Sequence, residues 1–171
     1  GAGRCSCEAP KKADFQSAKR SRNVKMHRDV LALYIHLVWA TWDRLPLITP
    51  AIERPLHRVI ASEAQKMGCI VLALNSVPDH LHLLVRIPST LAVAKLVKQL
   101  KGVSSHFVNH TLKPDQLFKW QGFYGAFSVS RWDVEQIVAY IQRQKEHHKI
   151  GTLLAELETV SEEIRPDQPF N

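Results

Sequence analysis

The sequence predicts an α+β fold in which a split β-α-β-β-α-β arrangement forms an antiparallel sheet and a further helix follows it. Four short runs rich in β-branched and aromatic residues lie between residues 29 and 130, and two stretches between them repeat apolar residues at helical spacing. Only a Pro-Asp turn separates the second and third runs, which predicts a hairpin. This order is that of a ferredoxin-like sheet, and the 171 residues suffice for one domain with a sizeable core.

A strand and a helix are predicted ahead of the hairpin. Residues 29–41 are apolar and rich in aromatic and β-branched side chains, which indicates a buried strand. Thr49 can cap a helix whose first turn accommodates Pro50, and apolar residues then recur at helical spacing. Gly68 predicts the end of this helix.

The hairpin, with strands predicted at 69–77 and 80–87, carries two histidines on one face. Side chains at i and i+2 of a strand project to the same side, so His80 and His82 can point at one object while the residues between them enter the core. Two neutral imidazoles begin many metal sites, because each offers a lone pair without charge. Hydrogen-bonded strand histidines fit the same spacing, so both interpretations stay open at this point.

A second helix, a loop and a fourth strand complete the predicted sheet. Ser89 or Thr90 can cap the helix, the loop is expected at 113–122, and the strand at 123–130. Opposite the apolar stripe of this helix lies a row of lysines, which is either a solvated face or a set of phosphate contacts. These residues are Lys95, Lys98 and Lys101.

The last predicted helix covers residues 131–148, with Ser130 as its cap. Tyr140 falls about 120° from the centre of the apolar stripe, so it is not expected in the core. Gln144 follows one turn later on the same side, and i, i+4 residues are neighbours on a helix. A phenol and an amide oxygen can thus face one site, although a surface tyrosine beside a surface glutamine explains the helix alone.

Charge and composition favour a soluble protein with a polyanionic partner. The net charge is +7, and residues 31–150 hold fourteen basic and eight acidic residues, so the central part is itself basic. Three cysteines make neither an even disulfide framework nor a CxxC pair, and no apolar run is long enough to span a bilayer. We therefore expect reduced thiols, a cytoplasmic location and no membrane partner.

Three segments are expected along the chain. Residues 1–26 are predicted to form a flexible basic leader, because they carry many charges and few residues to bury. Residues 27–150 are predicted to form the folded domain, and residues 151–171 an acidic C-terminal tail.

Several motifs together resemble one known family. The stretch PDHLHLLV resembles the motif of the HUH endonucleases, two histidines separated by one hydrophobic residue. The stretches YIHLVWAT, VKQLKGVSS, FYGAFSVS and VAYIQRQKEHH are similar to those of the single-tyrosine, single-strand DNA transposases of bacterial insertion sequences. The similarity runs from about Leu33 to Ile150. It identifies residues 27–150 as an HUH transposase domain.

The resemblance implies a role for four residues. His80 and His82 match two metal ligands, Tyr140 matches the nucleophile, and Gln144 matches the third protein ligand. Such transposases are ferredoxin-like homodimers that recognise single-stranded DNA hairpins at element ends and cut and rejoin one strand. In these dimers the tyrosine helix of one subunit can complete the histidine site of the other.

The implied ligand set predicts weak metal binding. Two imidazoles and an amide are all neutral, so a divalent ion keeps its full charge for a phosphate, but the protein alone holds it weakly. Imidazole suits Mn²⁺ better than Mg²⁺, whereas abundance in the cell favours Mg²⁺. We expect one of these two ions.

Other side chains are weaker candidates. His147 and His148 would allow a zinc site built from four histidines. Arg143 and Lys145 are candidate phosphate contacts or generic surface charges. Three aromatic residues can stack on unpaired bases or serve packing, namely Trp120, Phe123 and Tyr124.

Three rival functions are weighed against the transposase. A histidine-triad hydrolase needs a third histidine in the same alternation, where Pro78 and Leu84 stand. A replication or conjugation initiator usually belongs to a longer chain with further domains. A domesticated, catalytically idle DNA- or RNA-hairpin-binding protein needs only the fold and the basic charge, and would tolerate Tyr140→Phe.

Overall fold

The computed structural model describes residues 31–146. Four strands and three α-helices follow one another in the predicted order. They are β1 (Tyr34–Ala40), α1 (Pro50–Lys66), β2 (Ile70–Val77), β3 (His80–Arg86), α2 (Val93–Phe107), β4 (Gly125–Val129) and α3 (Val134–Gln142). The predicted leader and acidic tail lie outside the described residues.

The four strands form one antiparallel sheet in the order β2-β3-β1-β4. This confirms the predicted ferredoxin-like α+β fold. Strand β3 lies in the middle of the sheet, with His82 opposite Val38 of β1 and Asn75 of β2. Neighbouring strands therefore surround the histidine pair on both sides.

The two faces of the sheet have different partners. Leu37, Trp39, Leu81 and Leu83 project to one face and pack with α1 and α2 in the main core. The opposite face carries Leu84 and the histidines, and α3 packs there through Ile141 and Tyr140. Alternation along β3 thus separates the main core from the face that α3 covers.

Helix α1 ends as the sequence predicts, but its start lacks the expected cap. Gly68 adopts a φ of +83°, the left-handed conformation that glycine tolerates best. The Cys69 N–H then donates to the Ala64 carbonyl at 3.0 Å. Thr49 occupies the N-cap position without a side-chain cap hydrogen bond, while Pro50 follows as expected.

The predicted starts of α2 and α3 were wrong. Ala92, not Ser89 or Thr90, is the N-cap of α2, because a turn closed by Leu91 N–H and Pro88 O precedes the helix. Asp133, not Ser130, precedes α3, because the chain from 130 to 133 first makes a turn in which Asp133 N–H donates to Ser130 O.

Helix α2 continues into a π-helical turn over Val108–Leu112 that the sequence did not predict. Lys113 ends it in a left-handed conformation, with its N–H donating to Val108 O at 2.9 Å. The Asn109 amide then bonds both the N–H and the carbonyl of Phe118. The predicted loop therefore starts where expected but is fastened to the end of α2.

No helix between residues 31 and 146 is both long and apolar enough to cross a membrane.

Candidate active site

The histidine pair of β3 lies on the face of the sheet that α3 covers. His80 is 2% exposed and His82 is fully buried. Their ring centroids are 5.1 Å apart with the rings nearly perpendicular. The i, i+2 spacing thus brings both imidazoles to one place, from which bulk water is largely excluded.

Asp79 orients the first of these histidines. Its Oδ1 lies 2.8 Å from His80 Nδ1, and its Oδ2 accepts a hydrogen bond from Arg44 Nη1 at 3.2 Å. Burial acts to raise the pKa of Asp79, but the hydrogen bonds and charges of His80 and Arg44 outweigh it and hold that pKa below its usual value. An ionised carboxylate can only accept, so His80 carries its proton on Nδ1 and a metal would bind through Nε2.

His36 of β1 contacts the second histidine. Its Nε2 lies 2.9 Å from His82 Nδ1, and the two rings stack with centroids 5.2 Å apart. When His82 donates through Nδ1, His36 accepts, and Nε2 of His82 is the nitrogen that would bind a metal. Neither His36 nor Asp79 was predicted as a partner of the histidine pair.

Tyr140 lies against His82, with 6.3 Å between the ring centroids and the rings nearly perpendicular. Its side chain is 6% exposed, so the expectation that it avoids the core was wrong. The stripe predicted to be buried consists of Val134, Ile137, Val138 and Ile141. Ile141 is fully buried as predicted, whereas the other three are only half-buried. Helix α3 packs most closely through Ile141 and Tyr140, where it meets Leu84.

Gln144 is fully buried, although it does not belong to the same helix as Tyr140. Helix α3 ends at Gln142, and Arg143 adopts φ −92° and ψ 11°. The Asn75 amide donates to the carbonyls of Ile141 at 2.8 Å and Gln142 at 3.1 Å. Asn75 of β2 therefore satisfies the carbonyls at the end of α3 and fixes that end to the sheet.

The two imidazoles and the amide are donors that suit Mn²⁺ or Mg²⁺. His80, His82 and Gln144 are all buried, and both imidazoles are held at Nδ1. Within residues 31–146 no group of three or more His, Cys, Asp or Glu side chains is placed to hold a metal ion. The expected set contains only two such residues, with an amide as its third ligand.

The basic candidates fall into two groups. Lys95, Lys98 and Arg143 are exposed, whereas Lys101 Nζ donates to the carbonyls of Gln121 and Phe123 at 2.9 and 2.6 Å. Burial lowers the pKa of Lys101 to about 8. Lys145 Nζ contacts Glu53 of α1 at 2.6 Å. Lys101 and Lys145 thus already hold parts of the fold together.

The loop aromatics also differ in their surroundings. Trp120 is buried, donates from Nε1 to Ser104 Oγ at 2.9 Å and packs edge-on against Trp39. Tyr124 lies near Lys101 Nζ, and Phe123 is 61% exposed. Trp120 therefore serves packing, and of these three candidates Phe123 is the side chain most accessible to a base. His147 and His148 lie outside the described residues.

Comparisons with known proteins place the chain among transposases. The family described as "Transposase IS200 like" matches residues 29–144. The ISDra2 transposase TnpA of Deinococcus radiodurans is 29% identical over 120 residues, which cover 67% of this chain and 86% of that protein.

Solved structures share the fold. A crystal structure described as a transposase candidate from Deinococcus radiodurans has 30% identity and a TM-score of 0.55, covering 70% of this chain and 96% of its own. A REP-associated tyrosine transposase bound to a REP hairpin has 16% identity and a TM-score of 0.53, covering 71% of this chain and 73% of its own.

Proposed function

The chain belongs to the IS200-like transposase family, and from this premise we propose that it nicks and rejoins single-stranded DNA at element-end hairpins. Tyr140 is the proposed nucleophile, and His80, His82 and Gln144 are the proposed ligands of Mg²⁺ or Mn²⁺. The observation that carries the proposal is the burial of Tyr140 against His82, 6.3 Å between ring centroids, on the same face as His80.

The proposed reaction is a phosphoryl transfer to Tyr140. Its Oη attacks the scissile phosphorus, a bond between Oη and phosphorus forms, and the bond from phosphorus to the 3′-oxygen breaks. The phenolic proton is lost to water, and the leaving 3′-oxygen takes a proton from water. The product is a 5′-phosphotyrosine and a 3′-hydroxyl, and attack by a 3′-hydroxyl on that linkage restores a phosphodiester without a nucleotide cofactor.

Tyr140 needs help, because a phenol has a pKa of about 10 and is mostly protonated at neutral pH. When bound, a divalent ion would polarise the phosphate and stabilise the charge that develops in the transition state. The chain contributes position: Asn75 holds the end of α3, and Asp79 and His36 fix the two imidazoles. Neutral ligands support the expectation that metal binding is weak without DNA.

A homodimer is part of the proposal. In the chain described here, Tyr140 faces a histidine of its own sheet, so the proposed site forms within one subunit. A mixture of the Tyr140→Phe and His82→Ala proteins should therefore show no DNA cleavage. Recovery in the mixture would show that active sites are shared between subunits. Light scattering of the purified protein measures the dimer itself.

The function is tested by incubating the protein with labelled single-stranded DNA from the element end, containing its hairpin and cleavage site, with Mg²⁺ or Mn²⁺. A denaturing gel should show a covalent protein–DNA adduct that is lost in Tyr140→Phe and His82→Ala. Hairpin binding without an adduct under either metal would contradict the proposed enzyme and favour the catalytically idle binding protein.

A further inference from the structure

A cavity of about 410 Å³ opens between the start of α1, the β2–β3 turn and Lys145. Buried side chains of Ile48 and Val77 line it, and the exposed Pro50 and Pro78 form parts of its wall. This volume falls in the range of pockets that bind small organic groups.

The cavity adjoins the candidate active site. Asp79 lines it and also accepts the hydrogen bond from His80 Nδ1 at 2.8 Å. Lys145, at another edge, follows directly on the buried Gln144. A strand whose phosphate lies at the histidines therefore brings a neighbouring nucleotide to the mouth of the cavity.

Charge at the cavity disfavours a phosphate as its occupant. The carboxylates of Glu53 and Asp79 line it together with one ammonium group, that of Lys145. Lys145 Nζ lies 2.6 Å from Glu53 Oε1 and 2.8 Å from Oε2, so its charge is largely neutralised there. The sugar-phosphate backbone is expected to stay outside for this reason.

A nucleobase fits the same surroundings better. Its flat faces suit apolar walls such as Ile48, Val77 and the two prolines, and its edge offers both N–H donors and ring acceptors. Glu53 can accept from such an edge and Lys145 can donate to it. Glu53 is further held by a hydrogen bond from Ser76 Oγ at 3.3 Å.

We propose that this cavity binds an unpaired nucleobase of the strand that is cut, within two nucleotides of the scissile phosphate. The inference rests on the proposed function, because only that function places a DNA strand at His80. The base would act as an anchor that sets which phosphodiester bond lies opposite Tyr140.

The test measures binding of labelled single strands from the element end to the Tyr140→Phe protein, in which cleavage does not interfere. A series of strands carries an abasic site at each of the two positions on either side of the scissile bond. One abasic position should weaken binding about tenfold. Glu53→Ala and Lys145→Ala are made in the same Tyr140→Phe background. In each, the same abasic site should weaken binding by about twofold or less, because the variant has already removed a polar contact to that base.

Glu63→Ala is the matched control, because Glu63 also lies on α1 and pairs with Lys66 away from the cavity. In Glu63→Ala the abasic site should still weaken binding about tenfold. Thermal unfolding of each variant checks that it is folded. A penalty that stays tenfold in both cavity variants would overturn the proposal. If wild type forms the covalent adduct but no abasic position matters, the cavity proposal falls while the proposed function stands; a missing adduct contradicts the function itself.

Discussion

Replacing Asp79 with Asn removes a charge but almost no volume, so it tests how His80 is oriented. The carboxylate accepts from His80 at one oxygen and from Arg44 at the other, at 2.8 and 3.2 Å. An amide has one acceptor and one donor group, so it can satisfy only one of these partners and opposes the other. Loss of an orienting partner typically costs 10–100-fold in metal affinity. Because the Asp79 side chain is 28% exposed, we expect the lower end, about tenfold or roughly 1.4 kcal/mol.

The assay follows Mn²⁺ binding to the complex of the Tyr140→Phe protein with its DNA strand, by electron paramagnetic resonance of free Mn²⁺. Asp79→Asn in this background should bind Mn²⁺ about tenfold more weakly. Asp79→Asn in the protein that retains Tyr140 should cleave DNA more slowly in a single turnover when the metal is limiting. Asp115→Asn, an exposed loop change of the same chemistry, should have no effect. If Asp79→Asn binds Mn²⁺ and cleaves DNA as well as the protein with Asp79 does, Asp79 does not orient His80 for metal binding.

Three further predictions concern stability and DNA contacts. Asn75→Asp cannot donate to the two carbonyls at the end of α3, so hydrogen exchange over residues 134–142 should reflect a loss of about 1–3 kcal/mol in local stability; unchanged protection would contradict this. Burial lowers the pKa of His57 below its usual 6.5; the charge of Lys145 also lowers this pKa, and the charge of Glu53 acts to raise it. The unfolded chain therefore binds more protons below pH 6.5, and the free energy of unfolding falls as the pH drops through that value. Denaturant titrations at pH 7 and about 5 measure this fall in the free energy of unfolding. The fall should be smaller in His57→Gln than in wild type, and an equal fall in both proteins would contradict the role of His57. Lys98→Ala should weaken DNA binding and reduce its salt slope by about one, whereas Lys101→Ala should mainly lower the melting temperature, because Lys101 fastens the loop to α2. The reverse pattern would show that Lys101 is the phosphate contact.

The order and topology of the strands and helices follow from local patterns in the sequence. Alternation in β3 predicts that Leu81 and Leu83 enter one core and the histidines face the other way, and both leucines are fully buried in the main core. The starts of α2 and α3 could not be predicted, because turns closed by backbone hydrogen bonds precede both helices and displace the nominal caps at Ser89, Thr90 and Ser130.

The candidate site depends more on tertiary contacts. His36 lies in another strand, and only the β1–β3 pairing brings it to His82. The apolar stripe of α3 predicts the burial of Ile141 but not that of Tyr140, which is buried because the helix packs through the end that Asn75 fastens to β2. Asp79 differs from these residues because its contact is local. It directly precedes His80 in the turn, so the pairing of its carboxylate with that histidine could have been predicted from the sequence.

The most direct test of the central claim is to identify the residue that becomes attached to DNA. Trypsin cleavage after Arg131 and Arg143 releases a peptide in which Tyr140 is the one hydroxyl-bearing residue, so mass spectrometry of the nuclease-trimmed adduct is unambiguous. The account predicts this peptide with a nucleotide joined through its 5′-phosphate. An adduct on any other peptide, or one joined through a 3′-phosphate, would contradict Tyr140 as the nucleophile.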